Sequence, residues 1–308
     1  MTQRGAPPIP GLSRYAPLLS EIGNLKRVRA AALEGSVAAE IFRRSWAALI
    51  EGEGLDSTAL SQTASALCAA RLGAVDRAVL SGGGLDPKEA RDVLLAGFDA
   101  VCAPLPETLR ERLRDEVGAA RRKPGYGALP PGFVGALARQ PRAGATRPGR
   151  PRLMLEPPES HAEHCATVAV YGVALCEDFG AEPGTVFLAG LAHHLHNAGL
   201  PDAGFAGEEL LGGYLDRVAG RFREAALAEL PQTLRAQTEQ ALELARDAES
   251  PEARAFHAAD VLDRVIQMLH YQRQSDFTLD QALEEMQLVH PGPLKDFQDA
   301  VLDRAGLT

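Results

Sequence analysis

Histidine is missing from the first 160 residues of this 308-residue chain, and all eight copies fall after that point. A metal or general-base site built on imidazole is thereby excluded from the first half. Cysteine is scarce as well. The four copies, Cys68, Cys102, Cys165 and Cys176, are scattered and form no Cys-x-x-Cys pair, which argues against both a disulfide framework and a structural zinc finger. No run of 18 apolar residues and no signal-peptide pattern occurs, so no membrane partner is expected and the chain is expected in the cytoplasm with reduced thiols. Basic residues are outnumbered, 32 Lys and Arg against 41 Asp and Glu, giving a net charge of −9. Such a chain lacks the cationic surface that counterion release requires, so nucleic acid is not an expected partner, although nucleotides remain open as substrates. Aromatics make up only 5%. Ala and Leu dominate instead, which favours helix.

What is present is helical periodicity in two blocks. Apolar residues recur at three- and four-residue spacing over 20–32, 36–51, 57–71, 87–102 and 106–121, with Asp56 and Asp86 as N-caps and Pro87 at a first helical position. Residues 1–17, rich in Pro and Gly, read as a loose lead-in. Residues 122–158 carry eight prolines among many glycines and read as a connector with one short helix near 132–139. Its basic stretch 139–152 is read as solvated, in preference to a contact with nucleotide phosphate. Helical periodicity returns at 159–179, 183–197, 206–228, 231–247, 251–273, 279–288 and 291–304. The expected fold is all-α, with a helical domain over 18–121 and a metal-binding helical domain over 159–308.

The histidines cluster as His161-Ala-Glu-His164 and His193-His194-Leu-His196. Residues three apart share a helix face, so each cluster can present two imidazoles in one direction. One face does not fill a coordination shell, and a third contribution is available from Phe256-His-Ala-Ala-Asp260-Val-Leu-Asp263. A mixed His and Asp set suits divalent Zn, Fe, Mn, Co or Ni.

The segments Glu159-Ser160-His161-Ala162-Glu163-His164, His193-His194 and Ala259-Asp260-Val261-Leu262-Asp263 stand in the order and spacing of an HD-domain metal-dependent phosphohydrolase. The second half resembles that superfamily over about 150 residues, most of all the branch that contains the 5'-deoxynucleotidases. The resemblance implies His164, His193 and Asp260 as metal ligands, with His194 standing where the family has aspartate. It places Asn197 where the family has a water-positioning carboxylate, and Asp202 on a retained family acid. A shell of three His and one Asp carries one negative charge less than two His and two Asp, which makes the metal a stronger Lewis acid. The missing carboxylate at Asn197 removes a base of a kind that contributes roughly 10²–10⁴-fold, leaving Asp202, His196 and Glu163 to move the proton. His161 and His257 read as groups surrounding the ligands, and His270 and His290 as surface or packing residues. Cys165 and Cys176 read as core filling. Arg254 and Arg264 lie nearest the ligand helix for holding phosphate.

The first half resembles a worn copy of the second. Gly35-Ser36-Val37-Ala38-Ala39-Glu40 parallels the opening motif with Glu40 at the ligand histidine, and Ala74-Val75 stand where the central pair belongs. The expected function is therefore hydrolysis of a small phosphate ester, such as a nucleotide, by metal-activated water, with a homodimer as an allowed assembly. Two alternatives stay open: a catalytically silent regulatory or interaction module, and an iron-dependent oxygenase of the HD type.

Overall fold

A computed structural model describes residues 10–119, 130–144, 152–274, 278–285 and 287–307. Among these, the first half contains α1 (Ala16–Gly23), α2 (Val37–Ile50), α3 (Leu55–Leu72), α4 (Arg77–Gly82), α5 (Pro87–Asp99) and α6 (Glu107–Gly118). The connector holds α7 (Gly132–Arg139), and the second half holds α8 (His161–Phe179), α9 (Pro183–Ala192), α10 (Gly204–Leu211), α11 (Leu215–Leu227), α12 (Gln232–Leu242), α13 (Pro251–Gln272) and α14 (Lys295–Ala305). No β-strand occurs among the described residues; only two isolated bridges do, Arg29 with Ser36 and Pro141 with Ser160. The all-α expectation stands.

Local chemistry sets the ends of the helices that matter for the site. Ser160 caps α8, accepting from the Glu163 N–H while the Glu163 carboxylate accepts from the Ser160 N–H, and Gly180 closes the helix in the left-handed region at φ 69°. Asp86 and Glu89 form the same reciprocal cap on α5, with Pro87 at the first turn. Asp56 behaves differently from expectation. Gly54 is the N-cap of α3, and the Asp56 side chain instead accepts from the Gly184 N–H at 2.9 Å, satisfying an orphan donor at the start of α9.

Helix α8 is buried nearly all round: every residue from His161 to Cys176 is inside, which only an apolar run such as Val168–Leu175 tolerates. It packs against α9, α13, α2 and α3, and α3 in turn packs against α9. One apolar cluster runs from Leu12 through Trp46 and Leu67 to Val168, Val261 and Ala305, so both halves share a core. The α8–α9 approach is close because Gly190 has no side chain; a Cβ there would stand 2.5 Å from the Ala169 Cα.

Several expected helices are shorter or broken. Residues 27–32 are not helical; the chain leaves α1 through a 3₁₀ turn, Asn24–Lys26, and forms the bridge to Ser36. Helix α4, not expected, is started by the Asp76 side chain, which accepts from the Val79 N–H. Segment 206–228 is divided at Gly212, whose φ of 49° ends α10 before α11 begins. Among the described residues of segment 279–288, Gln281–Glu285 form a π turn. Segment 183–197 stops as an α-helix at Ala192, so His193 and His196 do not share a helix face: His193 is the C-cap and Leu195–Ala198 is a 3₁₀ turn. Residues 12–15 of the expected lead-in are held down, with Leu12 and Tyr15 buried and the Leu12 N–H donating to the Arg304 carbonyl at 3.0 Å. Residues 1–9 and half of the basic stretch, 145–151, lie outside the described residues.

Candidate metal centre

The first turn of α8, the C-terminus of α9 and the middle of α13 converge on one point. One ring nitrogen from each of His164, His193 and His194 lies within 4.8 Å of the other two. His193 Nε2 stands 3.1 Å from His164 Nε2, and Asp260 Oδ1 lies 3.3 Å from His164 Nε2. These are the four residues expected as ligands, brought together from sequence separations of up to about a hundred residues.

The outer nitrogens decide which way the lone pairs face. His164 Nδ1 is 2.6 Å from Asp263 Oδ2, His193 Nδ1 is 2.8 Å from the Gly190 carbonyl, and His194 Nδ1 is 2.9 Å from Asn197 Oδ1. Each partner is an acceptor, so each Nδ1 carries the proton and each Nε2 presents a lone pair. Burial, followed by the nearness of the His164 ring, pushes His193 down to about 3; burial and the neighbouring histidines hold His194 well below its usual value. Neutral lone pairs facing one another at 3.1 Å repel unless a cation sits between them. Two nitrogens bound to one ion at roughly 2.0–2.1 Å stand about 3 Å apart, so the donor set fits a divalent metal.

Asn197 thus has a different place from the one its sequence position implies. Rather than facing a water, its amide oxygen orients His194 while its N–H₂ donates to the Leu200 carbonyl at 3.1 Å. Histidine at the family's aspartate position and asparagine three residues later form one unit. Burial works to raise the pKa of Asp260, but the Arg264 guanidinium, 3.3 Å away, and then His164 hold it well below the usual carboxylate range.

Behind His164 lies a buried charge cluster that sequence reasoning missed. Lys26, 3% exposed, places its ammonium 2.6 and 2.8 Å from the Asp263 oxygens and 2.5 Å from Glu159 Oε1. Glu159, His164 and Asp263 would by themselves make a second trio of metal-ligating groups, and Lys26 already supplies the cation there. Lys26 stands among Asn24, Arg27 and Arg29 in the opposite half, so nothing in its local sequence singles it out.

The candidate proton movers sit unequally. Asp202 accepts from the Ala143 N–H at 2.9 Å and the Gly204 N–H at 2.8 Å, with His161 Nε2 at 3.5 Å. Burial raises its pKa, but His161 and the two backbone donors outweigh that and keep it firmly ionised. His196 has its Nδ1 buried without a partner, and burial then Arg223 push it down to about 4. Its ring centroid is 5.8 Å from that of His194. The Glu163 carboxylate is consumed by Ser36 Oγ and by Ser160. His161 is no surface group: it is fully buried, and neither ring nitrogen completes a hydrogen bond.

The centre opens on a cavity of about 470 Å³ lined by His193, His194, Asp202, Asp260, Arg142 and Arg264. Phe205 and His290 also line it and stack on each other, with centroids 4.4 Å apart, so His290 is not a bystander. His257 lines it too, with Nε2 2.9 Å from the Asp247 carbonyl. Arg142 corrects the reading of the connector. The strip 140–143 is fixed to the start of α8, with the Arg142 N–H donating to the Glu159 carbonyl at 2.8 Å and the His161 N–H to the Gln140 carbonyl at 3.0 Å. This carries one arginine of the basic stretch into the site.

A comparison with protein families matches residues 134–300 to the HD domain. The chain belongs to the HD-domain family. Comparisons with curated proteins and with solved structures find no match. The HD domain begins inside the proline-rich connector, so the segment bearing Arg142 is part of it, and it contains all four residues that converge at the centre.

Proposed function

We propose that this HD domain is a metal-dependent phosphohydrolase acting on a small phosphate ester, with nucleotides as the leading substrate class. The observation that carries the reading is the convergence of three oriented imidazoles beside Asp260 on a cavity that also holds two arginines. His164, His193, His194 and Asp260 would hold the ion, which, when bound, polarises a phosphoryl oxygen and lowers the pKa of water. Neutral His193 and His194 keep their lone pairs available across the physiological range. Arg142 and Arg264 line the cavity as forked donors suited to phosphate oxygens. Arg264 also holds Asp260, and so couples phosphate binding to the metal ligand.

Asp202 is too firmly ionised to keep a proton. Its role in this reading is to accept a hydrogen bond from the attacking water and orient it. His196 is a weaker candidate because it is not among the residues lining the cavity. The test is elemental analysis of protein purified without chelator or affinity-column metal, followed by assays on p-nitrophenyl phosphate and 5'-deoxynucleotides with Mn, Co, Ni and Zn. Stoichiometric metal and phosphate release that His193→Ala abolishes are expected. Failure to take up metal would favour a silent regulatory module, and iron with an O₂-dependent optical change would favour an oxygenase.

A further inference from the structure

A second cavity, of about 290 Å³, lies between the C-terminal ends of α1 and α13 and shares no lining residue with the one on which the metal centre opens. Its polar wall is rich in donors. Arg27 and Arg273 line it, and among the described residues no carboxylate pairs with either guanidinium. Arg27 donates only to neutral acceptors, Gln267 Oε1 at 2.8 Å and the Gly23 carbonyl at 3.4 Å. Ser20 and Asn24 line the cavity too, and neither side chain has a partner among the described residues. Arg27 and Ser20 are half-buried and Asn24 and Arg273 exposed, so a ligand can reach all four. The one acid in the wall is Asp263, whose oxygens are already taken by Lys26 at 2.6 and 2.8 Å and by His164 at 2.6 Å.

Two groups register an excess of positive charge at this place. Burial lowers the pKa of Arg27, and the opposing pull of Tyr271, Glu159, Asp263 and Glu163 does not make up for it. His270 stands in the same wall, and burial, then Arg27, Arg273 and Lys26, push its pKa down to about 4. Helix C-termini disfavour an anion, and two of them end here. Their last carbonyls are occupied, however: the Asn24 N–H donates to those of Ser20, Glu21 and Ile22, and the Arg273 N–H to those of Leu269 and Tyr271. What stays open to a ligand is a set of donors. A partly desolvated guanidinium without a counter-ion is unfavourable, and a bound oxyanion supplies one through charge-assisted hydrogen bonds.

We propose that this cavity is an anion site that takes free phosphate or the phosphate group of a small ester, held by the forked donors of Arg27 and Arg273 with Asn24 and Ser20 beside them. Pro17, Ile266 and Leu269 offer an apolar wall to the carbon part of an ester. The volume stands at the lower end of small-molecule sites, roughly 300 Å³, which suits a ligand of this size. The assignment is independent of activity at the metal centre.

The experiment titrates the full-length protein calorimetrically with inorganic phosphate and with propylphosphonate, whose C–P bond phosphate-ester hydrolysis does not cut. Each is expected to saturate a site that His193→Ala leaves in place and that Arg273→Glu weakens about ten-fold or more, the size of a hydrogen bond to a charged group. Arg273→Lys, which keeps the charge, should lose less than Arg273→Glu. Asn24→Asp, which puts a carboxylate at an exposed point of the wall, should also weaken both probes, and it decides the matter if Arg273→Glu does not fold. Tighter binding of propylphosphonate would identify an ester as the occupant, and equal or tighter binding of phosphate the free ion. Absence of saturable binding, or binding indifferent to both Arg273→Glu and Asn24→Asp, would overturn the proposal, the second result leaving phosphate only the arginines of the metal centre.

Discussion

Three imidazoles converge here because three different acceptors hold their outer nitrogens, and only one of these, Asp263, is a carboxylate. Removing an outer partner of this kind typically weakens metal binding 10–100-fold. Asn197→Ala is therefore expected to lower metal affinity by about that factor in chelator competition, whereas Asn197→Asp, which keeps an acceptor oxygen, should hold affinity near its original value. Equal weakening by both variants would show that the His194–Asn197 bond does not orient the ring. Lys26 presents the opposite case, since its loss leaves Asp263 without its cation and Glu159 with Arg142 alone, 3.5 Å away. Breaking such a cluster costs roughly 3–5 kcal/mol, so Lys26→Met should show that loss in urea unfolding. Adding Asp263→Asn should recover part of it.

At the scale of elements, the geometry of the site is set by how closely α9 lies on α8. A methyl group at Gly190 would meet the backbone of Ala169, which cannot move aside as a flexible side chain can. The Gly190 carbonyl also receives the His193 Nδ1 proton, so a shift of α9 moves a proposed ligand and its outer partner together. Gly190→Ala is expected to cost about 1–3 kcal/mol by overpacking, and to weaken metal binding in the same protein. Gly213→Ala, where a Cβ meets nothing within 4 Å, is the control and should leave metal binding unchanged. Normal affinity in Gly190→Ala would mean that the helices repack without disturbing the centre.

For the whole molecule, stability is expected to depend on pH through the buried histidines. His193 and His196 have folded values near 3 and 4, against about 6.5 for a free imidazole, with burial as the first cause in both. Below pH 6.5 the unfolded chain takes up protons that the folded chain refuses. The contribution is thus fully present above about 6.5 and is lost as pH falls towards those folded values. Each such group changes stability by roughly 1.4 kcal/mol per pH unit in that window. Urea melts of metal-free protein at pH 7.5 and 5.5 should differ accordingly, and a flat profile would contradict the burial of these rings. The shared core makes a second demand. Expressing residues 130–308 alone should give an aggregated or molten product, because α2 and α3 no longer cover α8 and α9. A cooperative thermal transition in that fragment would refute this.

Local information was enough for the helical class and for the residue types of the centre. Periodicity and the cap at Asp86 are short-range signals that survive folding because each is enforced within a turn or two of helix, whereas His164, His193, His194 and Asp260 were legible through the order of the segments that carry them. For single polar and charged side chains, the packed neighbours settled the outcome. Asp56 caps another helix, Asn197 turns to a ring instead of a water, Arg142 is drawn from a basic connector into the cavity, and Lys26 crosses from the histidine-free half to neutralise two buried acids. None of these partnerships has a fixed sequence separation, so no spacing rule announces them. Each follows from the requirement that a buried charge or hydrogen-bonding group find a partner, and only the packed molecule determines which partner is in reach.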